Sequence, residues 1–232
     1  MVLTDSQIER YSRQIIVPGV GGRAQERLLA ACVAIVAAPA DAAGAAAYLA
    51  GAGVGRIEMY PVGDHAPYEA MAERMRDLNP DVSVRIANDD SSAASDLTLA
   101  LIGSARAAEA AARLWCAPRA GAPGAHEHRC RAGIIARLDT PGRIALMPAP
   151  PPCPLCADAD LLRPPLGARA ASAGAIAMVA VTAAFRLLAG EAGQQPETAL
   201  LEFDGYVSRR RALGRRRVSG AAQARCTCEA LS

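Results

Sequence analysis

At 232 residues, 52% of them apolar and only 3% aromatic, the chain is long enough for one large α/β domain with a sizeable core. A formal net charge of +2 is too mild to single out nucleic acid as a partner. All 25 basic residues are arginine, which excludes any step that needs a lysine amine, because arginine acts neither as a base nor as a Schiff-base amine.

The first residues, MVLTDSQIERYSRQIIV, carry charges where a signal peptide needs an apolar run, so a cytoplasmic protein is expected. An arginine-bearing helix over Asp5 to Gln14 leads through the loop PGVGG to a short helix near Ala24 to Ala31 and an apolar strand, Val33 to Ala37. A helix over Asp41 to Ala52, with Asp41 as its cap, precedes a second strand ending at Tyr60. A helix near Glu69 to Leu78 is closed by NPD, and a third strand covers Val82 to Ile86. DLTLALIG reads as a fourth strand and SARAAEAAARLW as a helix. Strands alternating with helices imply right-handed crossovers and a mostly parallel sheet.

The second half changes character. GIIARLD and GRIALMP around TPG form a hairpin, PAPPPCPLC an ordered loop, and residues 173 to 189 a long apolar helix. The uncharged run from Ala170 stops at Arg186, too short to span a membrane. TALLEFDGYVSRRRAL gives two strands around a DG turn, so this half adds antiparallel strands. The expected architecture is one domain over 1–232: the helix at 5–14, a Rossmann-like part over 32–120, and a C-terminal part over 130–232. Seven cysteines, an odd number, argue for metal binding or plain burial over a disulfide framework.

In their order, RYSRQIIVPGVGGRAQERLLAACVAIV, YLAGAGVGRIEMY, AERMRDLNPDVSV, CPLC, AFRLLAG and LLEFDG resemble the ThiF/MoeB family, which includes the bacterial relatives of ubiquitin-activating enzymes. The resemblance implies a Rossmann-like domain that binds ATP with magnesium and adenylates the C-terminal glycine of a small ubiquitin-like or sulfur-carrier protein. It also implies a dimer and a structural zinc.

The family's phosphate turn, G-x-G-G-x-G, falls here on Ala37, Pro39, Ala40 and Ala42. Glycine serves such a turn through permissive φ and close backbone approach, with N–H groups free to donate. Pro39 has no N–H, and the other three positions carry Cβ atoms. The ribose aspartate is replaced by Pro61, with Asp64 displaced by three residues; Pro67 stands near the lysine position and Gly103 at the magnesium-binding aspartate. The loop LLRPPLGARAASAG has no cysteine where relatives often hold a catalytic one.

Arg13 matches an arginine that in this family reaches from one protomer into the nucleotide site of the other, where it binds phosphate; the bland alternative is a solvated helix charge. Cys153 with Cys156, and Cys226 with Cys228, stand where the family has two zinc-binding pairs, although the second pair is C-x-C rather than C-x-x-C. Without metal these are four reduced thiols. Cys32, Cys116 and Cys130 are expected to be buried. His126, His128 and Cys130 could suggest a metal site but read better as exposed loop residues, and His65 is given no catalytic role. RRRALGRRR, residues 209 to 217, could meet an acidic partner or RNA, but without interleaved aromatics an exposed edge hairpin is preferred.

Two readings follow. In the first, the chain is a degenerate family member that does not adenylate and serves as the partner of an active homologue, or of itself in a dimer, or as a docking subunit for the carrier. In the second, it is an active adenylyltransferase or sulfur-transfer enzyme holding ATP and magnesium in a rearranged site that uses Asp64, Asp41 or Arg56. Whether the chain is an enzyme is left open between them.

Overall fold

The computed structural model describes residues 2–87, 95–116, 132–139, 141–147, 160–163, 165, 173–190, 199–203 and 208–212. In chain order these form α1 (Asp5–Ile15), α2 (Gly21–Ala30), β1 (Cys32–Ala37), α3 (Pro39–Gly51), β2 (Arg56–Pro61), α4 (Ala66–Leu78), β3 (Ser83–Ile86), β4 (Leu97–Ile102), α5 (Ala105–Cys116), β5 (Gly133–Arg137), β6 (Gly142–Met147), α6 (Ala173–Ala189), β7 (Ala199–Phe203) and β8 (Ser208–Ala212).

One eight-stranded sheet runs β3-β2-β1-β4-β5-β6-β7-β8. β1 to β5 are mutually parallel, and β6, β7 and β8 add on antiparallel. This is the mixed α/β plan read from the sequence, with one refinement. β5, expected only as half of a hairpin, pairs parallel with β4 and antiparallel with β6, so the parallel part extends beyond residue 120. CVAIVA and LTLALI are buried at every position, as the central strands of a sheet covered on both faces must be.

Two apolar layers hold the sheet. On one face Leu49 of α3, Met71 and Met75 of α4 and Ile176 of α6 pack on Val33, Ile35, Ile57 and Leu99. On the other, Ala107, Ala108 and Ala111 of α5 lie against Ala34, Val36, Ala100 and Ile102. No helix among the described residues is long and apolar enough to cross a membrane.

Three helix starts differ from expectation. α3 begins at Pro39, where the fixed φ of proline suits a first turn, so Asp41 lies inside that turn and Ala38 is the N-cap. α4 begins at Ala66 for the same reason, with Pro67 in its first turn. α2 starts at Gly21 rather than Ala24. α1 gains Ile15 beyond Gln14, and the remaining boundaries move by a residue or so.

The motifs that carry the resemblance meet at the amino ends of the strands. α1 opens with a reciprocal capping box between Thr4 and Gln7 and buries Tyr11. The Tyr11 hydroxyl accepts from Asn79 Nδ2 at 2.9 Å and donates to Asp81 Oδ2 at 3.1 Å. Asn79 Nδ2 also donates to Ala50 O at 2.7 Å, and Arg10 pairs with Asp81 at 3.1 Å. Burial, opposed by the Asn79 hydrogen bond, pushes the Tyr11 phenol up to about 12, so it stays a protonated donor. Gly53, at φ +83°, lies under the Tyr11 ring: a Cβ there would come within 2.7 Å of ring atoms and 2.6 Å of Gln25 Nε2. ERYSRQI, GAGVG and LNPDV are therefore one dock for α1.

Candidate functional site

β1 lies between β2 and β4, so the chain's direction of travel across the sheet reverses there. The crevice outside the carboxyl ends of such strands is where open α/β sheets bind ligands. Its walls are the β1–α3 turn, the loop after β2 and the start of α5.

The β1–α3 turn is built without glycine because it needs none. Ala38 takes φ −62° and ψ 154°, an extended conformation open to any residue, and no residue from Ala37 to Ala42 has positive φ. The same geometry presents few donors. Pro39 lacks an N–H, and the amides of Asp41 and Ala42 both donate to Ala38 O at 2.9 Å. Asp41, 6% exposed, adds a carboxylate in the first turn. The positive end of the α3 dipole thus already faces an anion of its own.

Pro61 ends β2 directly beside Ala37. Asp64 uses Oδ1 to accept from Ala66 N at 3.3 Å, a local turn at the start of α4. His65 is the exposed N-cap of α4 and makes no side-chain capping bond. Pro67 is exposed beside it. Gly103 lies in the bend after β4, and Ser104 caps α5 by accepting from Ala107 N at 3.2 Å. Arg56 begins β2, five residues from Pro61 and so about 17 Å from the crevice. The structure therefore brings Asp41 and Asp64 to the same rim but leaves Arg56 at the opposite end of the sheet.

Two rim residues were not singled out by sequence reading. Tyr68, fully buried in the first turn of α4, donates its hydroxyl to Ala37 O at 2.6 Å and accepts from Val62 N at 2.9 Å. Arg106, exposed at the start of α5, brings Nη1 to 3.7 Å from the position a Cβ would take on Gly63, reaching the loop after β2. The only cue to Tyr68 was a large aromatic beside Pro67 in an aromatic-poor chain.

Beyond the crevice, Arg137 at the end of β5 is buried with Asp139: Nε donates to Oδ1 at 3.1 Å and Nη2 to Oδ2. Nη1 donates to the carbonyls of Asp160 and of Arg163, the latter at 2.8 Å, and so fastens the segment 160–163 to the sheet.

Arg13 is exposed in the last turn of α1, the helix docked at the amino ends. It lies across the sheet from its own crevice. Cys32 is buried as expected, its thiol pushed up by burial despite a hydrogen bond from Arg56. Cys153, Cys156, Cys226 and Cys228, like Cys130, His126 and His128, lie outside the described residues. Among the described residues no group of three or more His, Cys, Asp or Glu could hold a metal ion. Arg209 and Arg210 of the arginine run are exposed on the terminal strand β8.

No family model matches the chain. Individual proteins do. It is 38% identical over 101 residues to the vegetative HesA protein of Trichormus variabilis, covering 35% of this chain and 38% of that protein. It is 53% identical over 55 residues to the adenylyltransferase and sulfurtransferase uba4 of Pyricularia oryzae, covering 24% of this chain and 11% of that protein. The chain thus spans less than two fifths of the length of these curated relatives. Among solved structures, E. coli MccB with AMPCPP and MccA superposes with a TM-score of 0.64 at 14% identity, over 90% of this chain and 72% of that one. MccB with succinimide gives a TM-score of 0.62 over 90% and 73%. Over part of its length the chain is thus similar in sequence to HesA and to the adenylyltransferase and sulfurtransferase proteins, and it shares its fold with MccB, in keeping with its resemblance to the ThiF/MoeB family.

Proposed function

We propose that this chain is a non-adenylating member of its family, acting as the partner or docking subunit of an intact homologue in the activation of a small ubiquitin-like or sulfur-carrier protein. The observation that carries this reading is the β1–α3 turn, where Pro39 has no amide to offer, Asp41 turns its own amide inward, and the Asp41 carboxylate occupies the positive end of the helix. A triphosphate brought to that turn meets few backbone donors. The absence of lysine from the whole chain and Gly103 at the magnesium position point the same way.

Association supplies the positive half of the proposal. Arg13 is held out on a well-anchored helix at the far end from its own crevice, so it serves another chain or none. Cys153, Cys156, Cys226 and Cys228 carry four thiols, a donor set that, deprotonated, suits a structural zinc. Metal analysis of the purified chain should give close to one zinc per chain, falling sharply in Cys153→Ser; a stoichiometry near zero in the wild type rules the site out.

Isothermal titration with ATP and magnesium should show no heat up to millimolar nucleotide. Micromolar binding would overturn the proposal in favour of the second reading, an active adenylyltransferase with a rearranged site. Arg106, poised over the loop after β2, is the observation that favours that reading. The positive test uses an intact family member from the same organism. Added chain should raise its ATP–pyrophosphate exchange, and Arg13→Ala should abolish that increase without changing the fold.

A further inference from the structure

We propose that Tyr68 is this chain's own replacement for a nucleoside: its phenol takes the backbone carbonyl and amide at the carboxyl ends of β1 and β2, the strand ends beside which sheets of this topology hold a ribose. The inference deepens the reading above and rests on it.

In sheets of this topology the ribose is held at the carboxyl end of the second strand, beside the first. Those two strand ends are here Ala37 and Pro61, paired in register, and the Tyr68 hydroxyl spans them. It donates to Ala37 O at 2.6 Å and accepts from Val62 N, the first amide after β2, at 2.9 Å. One hydroxyl that donates and accepts in this way does what a sugar hydroxyl does. The ring behind it is fully buried in the apolar layer shared with α3 and α4.

The position is fixed locally. Asp64 turns the chain into α4, Pro67 sets its first turn, and the Tyr68 amide donates to His65 O at 2.9 Å. Burial raises the phenol above its ordinary value, the Val62 amide pulls it part of the way back, and the Asp41 carboxylate raises it. The hydroxyl therefore remains a donor to Ala37 throughout the physiological range. An ordinary core tyrosine would also satisfy its hydroxyl. What distinguishes a plug is that removing it opens a ligand site.

The probe is adenosine, which has the sugar and base but not the phosphates that the Asp41 turn opposes. In thermal melts of the full chain, millimolar adenosine should leave the wild type unmoved and raise the midpoint of Tyr68→Val in a saturable way. Tyr68→Phe, which keeps the ring but not the hydroxyl, should melt lower than wild type and stay unresponsive. If Tyr68→Val does not fold, Tyr68→Leu replaces it, and adenosine should then restore or raise its folding transition. A folded small-residue variant that ignores adenosine overturns the plug while leaving the non-adenylating reading intact. A wild-type response equal to that of the variant overturns it as well. Micromolar ATP binding by the wild type would instead remove the reading on which the plug rests.

Discussion

Asp139→Ala is expected to destabilise the protein by about 3–5 kcal/mol, because it leaves the Arg137 guanidinium buried without its carboxylate. Arg137 is 6% exposed and Asp139 8%, so solvent does little to screen or replace the pair. For a domain of this size the loss corresponds to roughly 6–20 °C in the melting midpoint. Denaturant titration and calorimetry would measure it, and a variant melting within a degree or two of wild type would show that the pair is dispensable. Removing both charges in Arg137→Met with Asp139→Leu should recover part of the stability, since no lone charge remains. That double variant should still loosen the segment 160–163, whose carbonyls at Asp160 and Arg163 lose their donor. Faster proteolysis there, at nearly restored stability, would separate the latch from the ion pair.

The second large effect belongs to Gly55. A Cβ at that position would lie 1.8 Å from the Leu29 carbonyl oxygen and 2.7 Å from its carbon, both backbone atoms that no rotamer change can clear. Gly55 also donates its amide to Leu28 O at 3.0 Å, so moving the strand away breaks the bond that brings α2 to the start of β2. Gly55→Ala should therefore cost more than about 4 kcal/mol and leave little folded protein in the soluble fraction. Gly51 is the internal control. No atom lies within 4 Å of its missing Cβ, and it sits at the end of α3. Gly51→Ala should be neutral or stabilising by up to about 1 kcal/mol. Equal behaviour of the two variants in circular dichroism melts would refute the close-approach explanation.

The contrast between these glycines bears on what the sequence could reveal. GAGVG reads as a helix end feeding a strand, and the strand–helix alternation predicted the parallel sheet, because apolar runs such as CVAIVA leave a direct mark. The reason for each glycine does not. Gly55 answers to the backbone at Leu29, and Gly53 to the Tyr11 ring, each distant in the chain. Tyr68 was illegible for a similar cause. Its partners are main-chain atoms of Ala37 and Val62, and every residue has a carbonyl while nearly every one has an amide. The glycine-free β1–α3 turn was readable at Ala37, Pro39, Ala40 and Ala42, yet Asp41 was placed as a cap when it belongs inside the first helical turn. Pro39 moved the helix start two residues forward, because a fixed φ near −65° suits a first helical position. Arg137 and Asp139 sit two apart, but nothing in the sequence tied them to carbonyls more than twenty residues away.

The six residues of β1 hold the Tyr11 dock and the Ala37–Ala42 turn about 17 Å apart. Groups at that separation with no shared partner affect stability almost additively. Alterations at the carboxyl rim should therefore change the grip on α1 little, and the reverse holds as well. A sheet with such ends lets the sequence at one of them vary while the helix gripped at the other keeps its place.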